Sequence, residues 1–222
     1  MRVIPMRTRI GLAFLVAVCA QAVLVNQPLV PLNGPEALGA VAQQVAVGIA
    51  IGFAVRLVFT SVELAGEVIG LQMGLNFASF FDPASNAQVS AVARFFGQIS
   101  MLLFVVINGH LLVLMAVVKS FDAFPVDGNF LQALGQLRLY TLGTSLFSSA
   151  LWIALPMVAL LFFVNLTLGI ISRVAPQMNI YAVGFPVTLT VGMLGIAATL
   201  PMLEQPVLAL MQQAVDLFDA QR

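Results

Sequence analysis

AGEVIGLQMGLNFASFFDPASNAQV, running from Ala65 to Val89, decides how the rest of the chain is read. Gly66, Gly70, Gly74 and Ala78 recur every four residues. On a helix that spacing stacks them on one face, a small-residue stripe along which another helix packs backbone to backbone. Glu63 and Glu67 stand one turn apart beside the stripe, as do Gln72 and Asn76. Ionisable groups at membrane depth cost about 2.5–3.5 kcal/mol each on insertion scales, so this helix faces protein or a water-filled space, not lipid. The helical pattern ends in Asn76-Phe77-Ala78-Ser79-Phe80-Phe81-Asp82-Pro83, where Asp-Pro forms a turn. Aromatic side chains on a loop at that depth need protein or a cavity around them.

The surrounding composition sets the depth. Only 8% of the 222 residues are charged and 61% are hydrophobic, against about 25% charged in a soluble domain. With a mean hydropathy of +1.05, the chain reads as an integral membrane protein. Its net charge is zero and it has one lysine, so no basic surface points to nucleic acid. A single cysteine, Cys19, excludes an intrachain disulfide and a cysteine-only metal site. A single histidine, His110, removes most histidine-based metal sites and triads.

Outward from the central stretch, Met1 to Ala22 has a basic start (Arg2, Arg7, Arg9), an apolar core and an Ala20-Gln21-Ala22 site. It reads either as a signal peptide or as a membrane helix from Arg9 to Val25 with arginines at its cytoplasmic end. Pro28, Pro31, Gly34 and Pro35 make Asn26 to Pro35 a loop. Leu38 to Val62 is an apolar helix with a Gly48-x-x-x-Gly52 stripe. Its Arg56 either snorkels to an interface or pairs with Glu63, two turns on. Ser90 to Val118 is a long apolar run interrupted at Asn108-Gly109-His110, with Arg94 expected to face Asp82. Phe130 to Ile171 carries Pro156, which is expected to kink or split it, and Ile180 to Leu200 is expected to break at Gly184-Phe185-Pro186. Val207 to Phe218 is amphipathic, with Gln212, Gln213, Asp216 and Asp219 on its polar side. The expected fold is all-α: a polytopic membrane protein of Pro/Gly-broken helices, packed against other protein along most of their length.

The chain contains no G-x-S-x-G, H-E-x-x-H, P-loop or dinucleotide fingerprint, and no cofactor or metal site is expected. Glu63 and Glu67 either hydrogen-bond across helices or form an ion-coupling pair in a transporter. The Phe77/Phe80/Phe81 cluster is either a hydrophobic anchor or a seal. On the residues alone the chain is not evidently an enzyme, and channel, transporter and assembly scaffold stay open.

Several motifs resemble those of the FliR family of flagellar biosynthetic proteins. They are Gly66-Glu67-Val68-Ile69-Gly70-Leu71-Gln72-Met73-Gly74, Phe77-Ala78 with Asp82-Pro83-Ala84-Ser85, Asn108-Gly109-His110, Ser120-Phe121 to Pro125, Ala175-Pro176-Gln177-Met178-Asn179-Ile180 and Gly184-Phe185-Pro186. The resemblance runs from about Val3 to about Phe218. The related virulence-secretion SctT branch shares the fold, but the Gln-Met-Gly and Asp-Pro-Ala-Ser forms look flagellar. The resemblance implies one helical membrane domain, 1–222, with an amphipathic tail at 207–222. It implies a subunit of the type III export gate in the bacterial inner membrane, at the flagellar basal body. Expected partners are FliP-like and FliQ-like subunits, an FlhB-like subunit and unfolded flagellar export substrates. The segment 73–90 is expected to form a pore plug, with Met73, Gly74, Asn76, Phe77, Phe80, Phe81, Asp82 and Pro83 in that role. Glu63, Gly66, Glu67, Gly70 and Gln72 are expected to fix the helix that bears it. Members of the family usually open with a further apolar helix ahead of the segment matching Val3 to Arg9. The sequence as read starts at that segment, so an upstream start or a shortened member is expected.

Overall fold

The computed structural model describes residues 5–23, 34–75, 90–125, 139–177 and 179–216, and every element among them is helical. Seven α-helices follow in order: α1 (Met6–Val23), α2 (Pro35–Gln72), α3 (Ala91–Val106), α4 (Gly109–Ala123), α5 (Leu139–Val174), α6 (Ile180–Thr199) and α7 (Glu204–Asp216). A 3-10 turn, Leu200–Leu203, joins the last two. Among the described residues, Ala37–Gln72, Gly143–Val174 and Ala182–Asp216 are long and apolar enough to cross a membrane. The pair α3 and α4 makes a fourth span if taken as one broken helix. The protein is an all-α polytopic membrane protein.

α2 joins what the sequence divides into two helices. Its 38 residues rise about 57 Å, nearly twice the ~30 Å of bilayer hydrocarbon. Ala37 to Val55 carries no charge, and the first basic residue of α2 is Arg56.

The backbone divides into two compact units. The first comprises Met1–Val55, Asn108–Leu139 and Gln212–Arg222. Here α2 supplies a feature that the sequence does not advertise. Gln43 Nε2 donates to the Pro125 carbonyl at 2.9 Å and Gln44 Nε2 to the Phe124 carbonyl at 3.3 Å. Two adjacent amides thus serve the carbonyls of the two residues that follow α4. Gln43 is buried, and its Oε1 has no hydrogen-bond partner among the described residues. α4 itself begins at Asn108, whose φ of 56° and ψ of 34° lie in the left-handed region that Asn tolerates better than most residues. That residue is where the long apolar run breaks.

The second unit comprises Arg56–Ile107 and Tyr140–Met211. Its core draws on Val62, Ala65, Ile69 and Met73 of α2, Val92 and Phe96 of α3, and Ile153, Ala154, Met157 and Leu161 of α5. Ile196 of α6, Leu203 and Val207 complete it. The α2 positions recur at three- and four-residue intervals, which puts them on one face. Phe59 and Phe104 meet edge to face with ring centroids 5.4 Å apart, a second tie between α2 and α3. Buried Ser61 and Ser100 donate to carbonyls three residues back, so each small polar residue is satisfied within its own helix.

Neither α5 nor α6 is split at its proline. α5 runs unbroken through Pro156, and α6 through Pro186. Each proline forfeits one backbone bond, and an interior proline costs about 3 kcal/mol. In α5 the buried side chains Ile153, Ala154, Met157 and Leu161 flank the exposed Pro156 on both sides, so packing holds the helix through it. In α6 the proline falls in the second turn, and Thr188 and Thr190 bond to the Phe185 and Pro186 carbonyls beside it. The amphipathic reading of α7 agrees with the structure: Val207, Leu210, Met211 and Ala214 are buried, while Gln212, Gln213 and Asp216 are exposed.

Candidate functional site

The last turns of α2 are fixed from three sides. α3 lies against the glycine face. A Cβ placed on Gly66 would sit 2.8 Å from the Ala93 Cα and 3.0 Å from the Phe96 Cβ, and one on Gly70 would sit 3.0 Å from Ser90 Oγ. Any side chain at Gly66 would therefore meet backbone, which cannot rotate away. Gly66 and Gly70 form the contact that the stripe implied.

Gly74 does not extend that stripe. α2 ends at Gln72, and Gly74 has φ 78°. The Gly74 N–H bonds to the Leu71 carbonyl at 3.0 Å and the Leu75 N–H to the Gly70 carbonyl at 3.1 Å. This pair of bonds around a left-handed glycine is the Schellman termination, which only glycine enters without strain. The helix, expected to continue to Asn76, therefore stops at Gln72.

Ser90, on the far side of the segment 76–89, caps α3: its Oγ accepts from the Ala93 N–H at 3.1 Å. Its own N–H donates to Glu67 Oε2 at 3.0 Å. Glu67 thus ties the start of α3 to α2 across 23 residues of sequence. Glu63 goes elsewhere, lying along α3 where a Cβ on Gly97 would come within 3.1 Å of its Cγ and Oε1. Arg56 is exposed, and no ion pair joins it to Glu63. Gln72 is half-buried at the helix end.

Met73 is fully enclosed in the core, at 0% exposure. Asn76, Phe77, Phe80, Phe81, Asp82 and Pro83 lie outside the described residues, as does the Asp82 partner expected for Arg94. Of the expected site residues, the structure therefore brings together Gly66, Gly70, Glu67, Met73 and Gly74 around the end of α2. Residues unmarked by sequence reasoning complete that end: Ser90, Ala93, Thr188 and Gly192. The N-cap signal of Ser90 was available, but its N–H partner was not.

Glu67→Ala is expected to lower the thermal midpoint of the detergent-purified chain by leaving the Ser90 N–H unmet, a loss of about 1–3 kcal/mol. Glu67→Gln, which keeps an acceptor oxygen, should lose the smaller part of that. Equal midpoints for wild type and Glu67→Ala would remove the tie from the account.

Comparison with known proteins places the chain in a family. The family model for bacterial export proteins, family 1, matches residues 1–214. The flagellar biosynthetic protein FliR of Escherichia coli K12 is 40% identical over 203 residues, covering 91% of this chain and 77% of that protein. FliR of Pectobacterium carotovorum is 38% identical over 207 residues, with the same two coverages. FliR of Bacillus subtilis 168 is 31% identical over 193 residues, covering 86% of this chain and 72% of its own length.

Proposed function

We infer the function from one premise: the chain belongs to the FliR family of flagellar biosynthetic proteins, within the bacterial export proteins, family 1. We propose that it is a membrane subunit of the flagellar protein export gate, seated in the inner membrane at the basal body. Its work there is structural, not enzymatic. It joins FliP-like, FliQ-like and FlhB-like subunits around the pore through which unfolded flagellar proteins pass, and the whole chain, 1–222, acts as one domain. The segment within 73–90 closes the pore to ions when no substrate occupies it, with Phe77, Phe80 and Phe81 as the water-excluding element and Asn76, Asp82 and Pro83 shaping the loop.

The observation that carries this reading is family membership across nearly the whole chain. The anchoring at the end of α2 supports it. Both ends of the segment are held to packed helices, at Met73 and at Ser90. Glu63 and Glu67 make separate contacts on α3, and Glu67 accepts from the Ser90 N–H there, so no observation specifically favours the transporter reading.

The test is co-expression of the chain with FliP-like and FliQ-like proteins from the same genome, followed by native mass spectrometry in detergent. One copy within a hetero-oligomer is the expected result. A stable monomer or homodimer that ignores those partners overturns the proposal.

A further inference from the structure

Met73 is the last residue before the chain leaves α2 through its left-handed glycine, and α6 holds it by two independent contacts. Its thioether lies over Gly192: a Cβ there would fall 2.5 Å from the Met73 Cε, 2.7 Å from its Cγ and 2.8 Å from its Sδ. Its carbonyl, one of the last four that a helix cannot satisfy itself, accepts from Thr188 Oγ1 at 3.3 Å. Thr188 is itself buried, and its one hydroxyl proton is also within reach of the Phe185 carbonyl at 3.1 Å. Thr188 and Gly192 lie one turn apart on α6, so a single face of that helix meets both the main chain and the side chain of Met73. The thioether suits the slot because an unbranched side chain bends into a groove that a β-branched one cannot enter.

We propose that Thr188 and Gly192 are positioning residues: together they seat Met73 and so fix where, and in which direction, the chain departs from α2 toward residue 76. The seat is a property of the described helices alone. Its bearing on ion tightness rests on the reading of the segment after it as the pore seal. On that reading, α6 is the element that sets the seal's register.

The test uses the co-purified gate complex and native membranes, with two readouts. The first is methionine footprinting with dilute peroxide, followed by mass spectrometry. Met73, Met157 and Met211 are all buried within the second unit, so each reports on its own surroundings. Thr188→Val keeps the side-chain shape and removes the hydroxyl. It is expected to raise Met73 oxidation about five-fold, the weight of one neutral hydrogen bond, with Met157 and Met211 unchanged. Gly192→Ala should do the same by filling the slot. No rise at Met73, or a rise shared equally by Met157 and Met211, overturns the seat.

The second readout is ion leak across the membrane, compared with a deletion of 77–81. Leak in Thr188→Val alongside leak in the deletion is the expected pair. Leak in the deletion alone, with Met73 released in Thr188→Val, overturns the positioning role and leaves the seal reading intact. Absence of leak in the deletion overturns the seal reading, and the footprint then decides the seat by itself.

Discussion

Replacing Gly66 with leucine is expected to abolish assembly of the chain into a gate complex. Alanine alone would already push its Cβ to 2.8 Å from the Ala93 Cα and 3.1 Å from the Ala93 nitrogen. Those atoms belong to the first turn of α3, so relief requires the two helices to part. Overpacking of this kind costs about 1–3 kcal/mol, partly offset by the ~1 kcal/mol that alanine gains over glycine in a helix. Gly66→Ala should therefore be intermediate. Leucine adds three carbons where no rotamer leads out, and the separation it forces would also pull Ser90 from Glu67 and Val92 and Phe96 from the shared core. Heating the purified variants and following the folded fraction by size-exclusion chromatography gives the order. Gly48→Ala and Gly52→Ala serve as controls. A Cβ at either meets nothing within 4 Å, so neither should lower the stability of the isolated chain. A Gly66→Leu variant as stable as wild type would mean that α2 and α3 do not touch there.

Deleting Phe77 to Phe81 is expected to make the assembled gate leak ions without preventing its assembly. The nine residues left between 75 and 90 span up to about 30 Å when extended. That is ample for ends held at neighbouring places, since Gly70 and Ser90 are in contact. The bonds from the Ser90 N–H to Glu67 and from Thr188 to the Met73 carbonyl lie outside the deleted stretch and keep their partners. On the proposed reading, what is lost is the aromatic surface that keeps water, and the ions it carries, out of the pore. Removing ~1.4 kcal/mol from a barrier multiplies passage by ten, and a rise in leak on the order of tenfold is the expected scale. A potential-sensitive dye in cells carrying the chain and its partners measures it. Complexes that assemble and stay ion-tight would show that the phenylalanines do not form the seal.

How far the sequence revealed these features depended on the range of each interaction. The membrane class was plain from composition, and the Gly66/Gly70 contact from four-residue spacing. Gly74 shows the limit of that spacing, because a glycine four residues on looks the same whether the helix continues or terminates in a left-handed turn. Local rules allow a split at Pro156 and at Pro186 that does not occur. The cost of a proline is local, whereas the packing of Met157, Leu161 and Ile196 that keeps α5 and α6 in place is not. Glu67 reads as a packing or coupling group, yet one of its partners is the Ser90 backbone N–H, which no side-chain pattern marks. Gln43 and Gln44 passed unnoticed because two glutamines in an apolar helix carry no signal of the carbonyls they serve, some 80 residues away. Thr188 and Gly192 were hidden for the same reason.

The bond between Thr188 and the Met73 carbonyl spans 115 residues, and that separation has a meaning in time. A ribosome adding 5–20 residues per second needs about 6–23 s to pass from one partner to the other. The tie from Glu67 to Ser90 spans only 23 residues and becomes available within about 1–5 s. The newborn chain therefore acquires the α2–α3 hairpin early and carries the end of α2 half-fastened through most of its own synthesis. The last fastening waits for α6, so a nascent chain stopped short of Thr188 holds a paired hairpin with an untied exit.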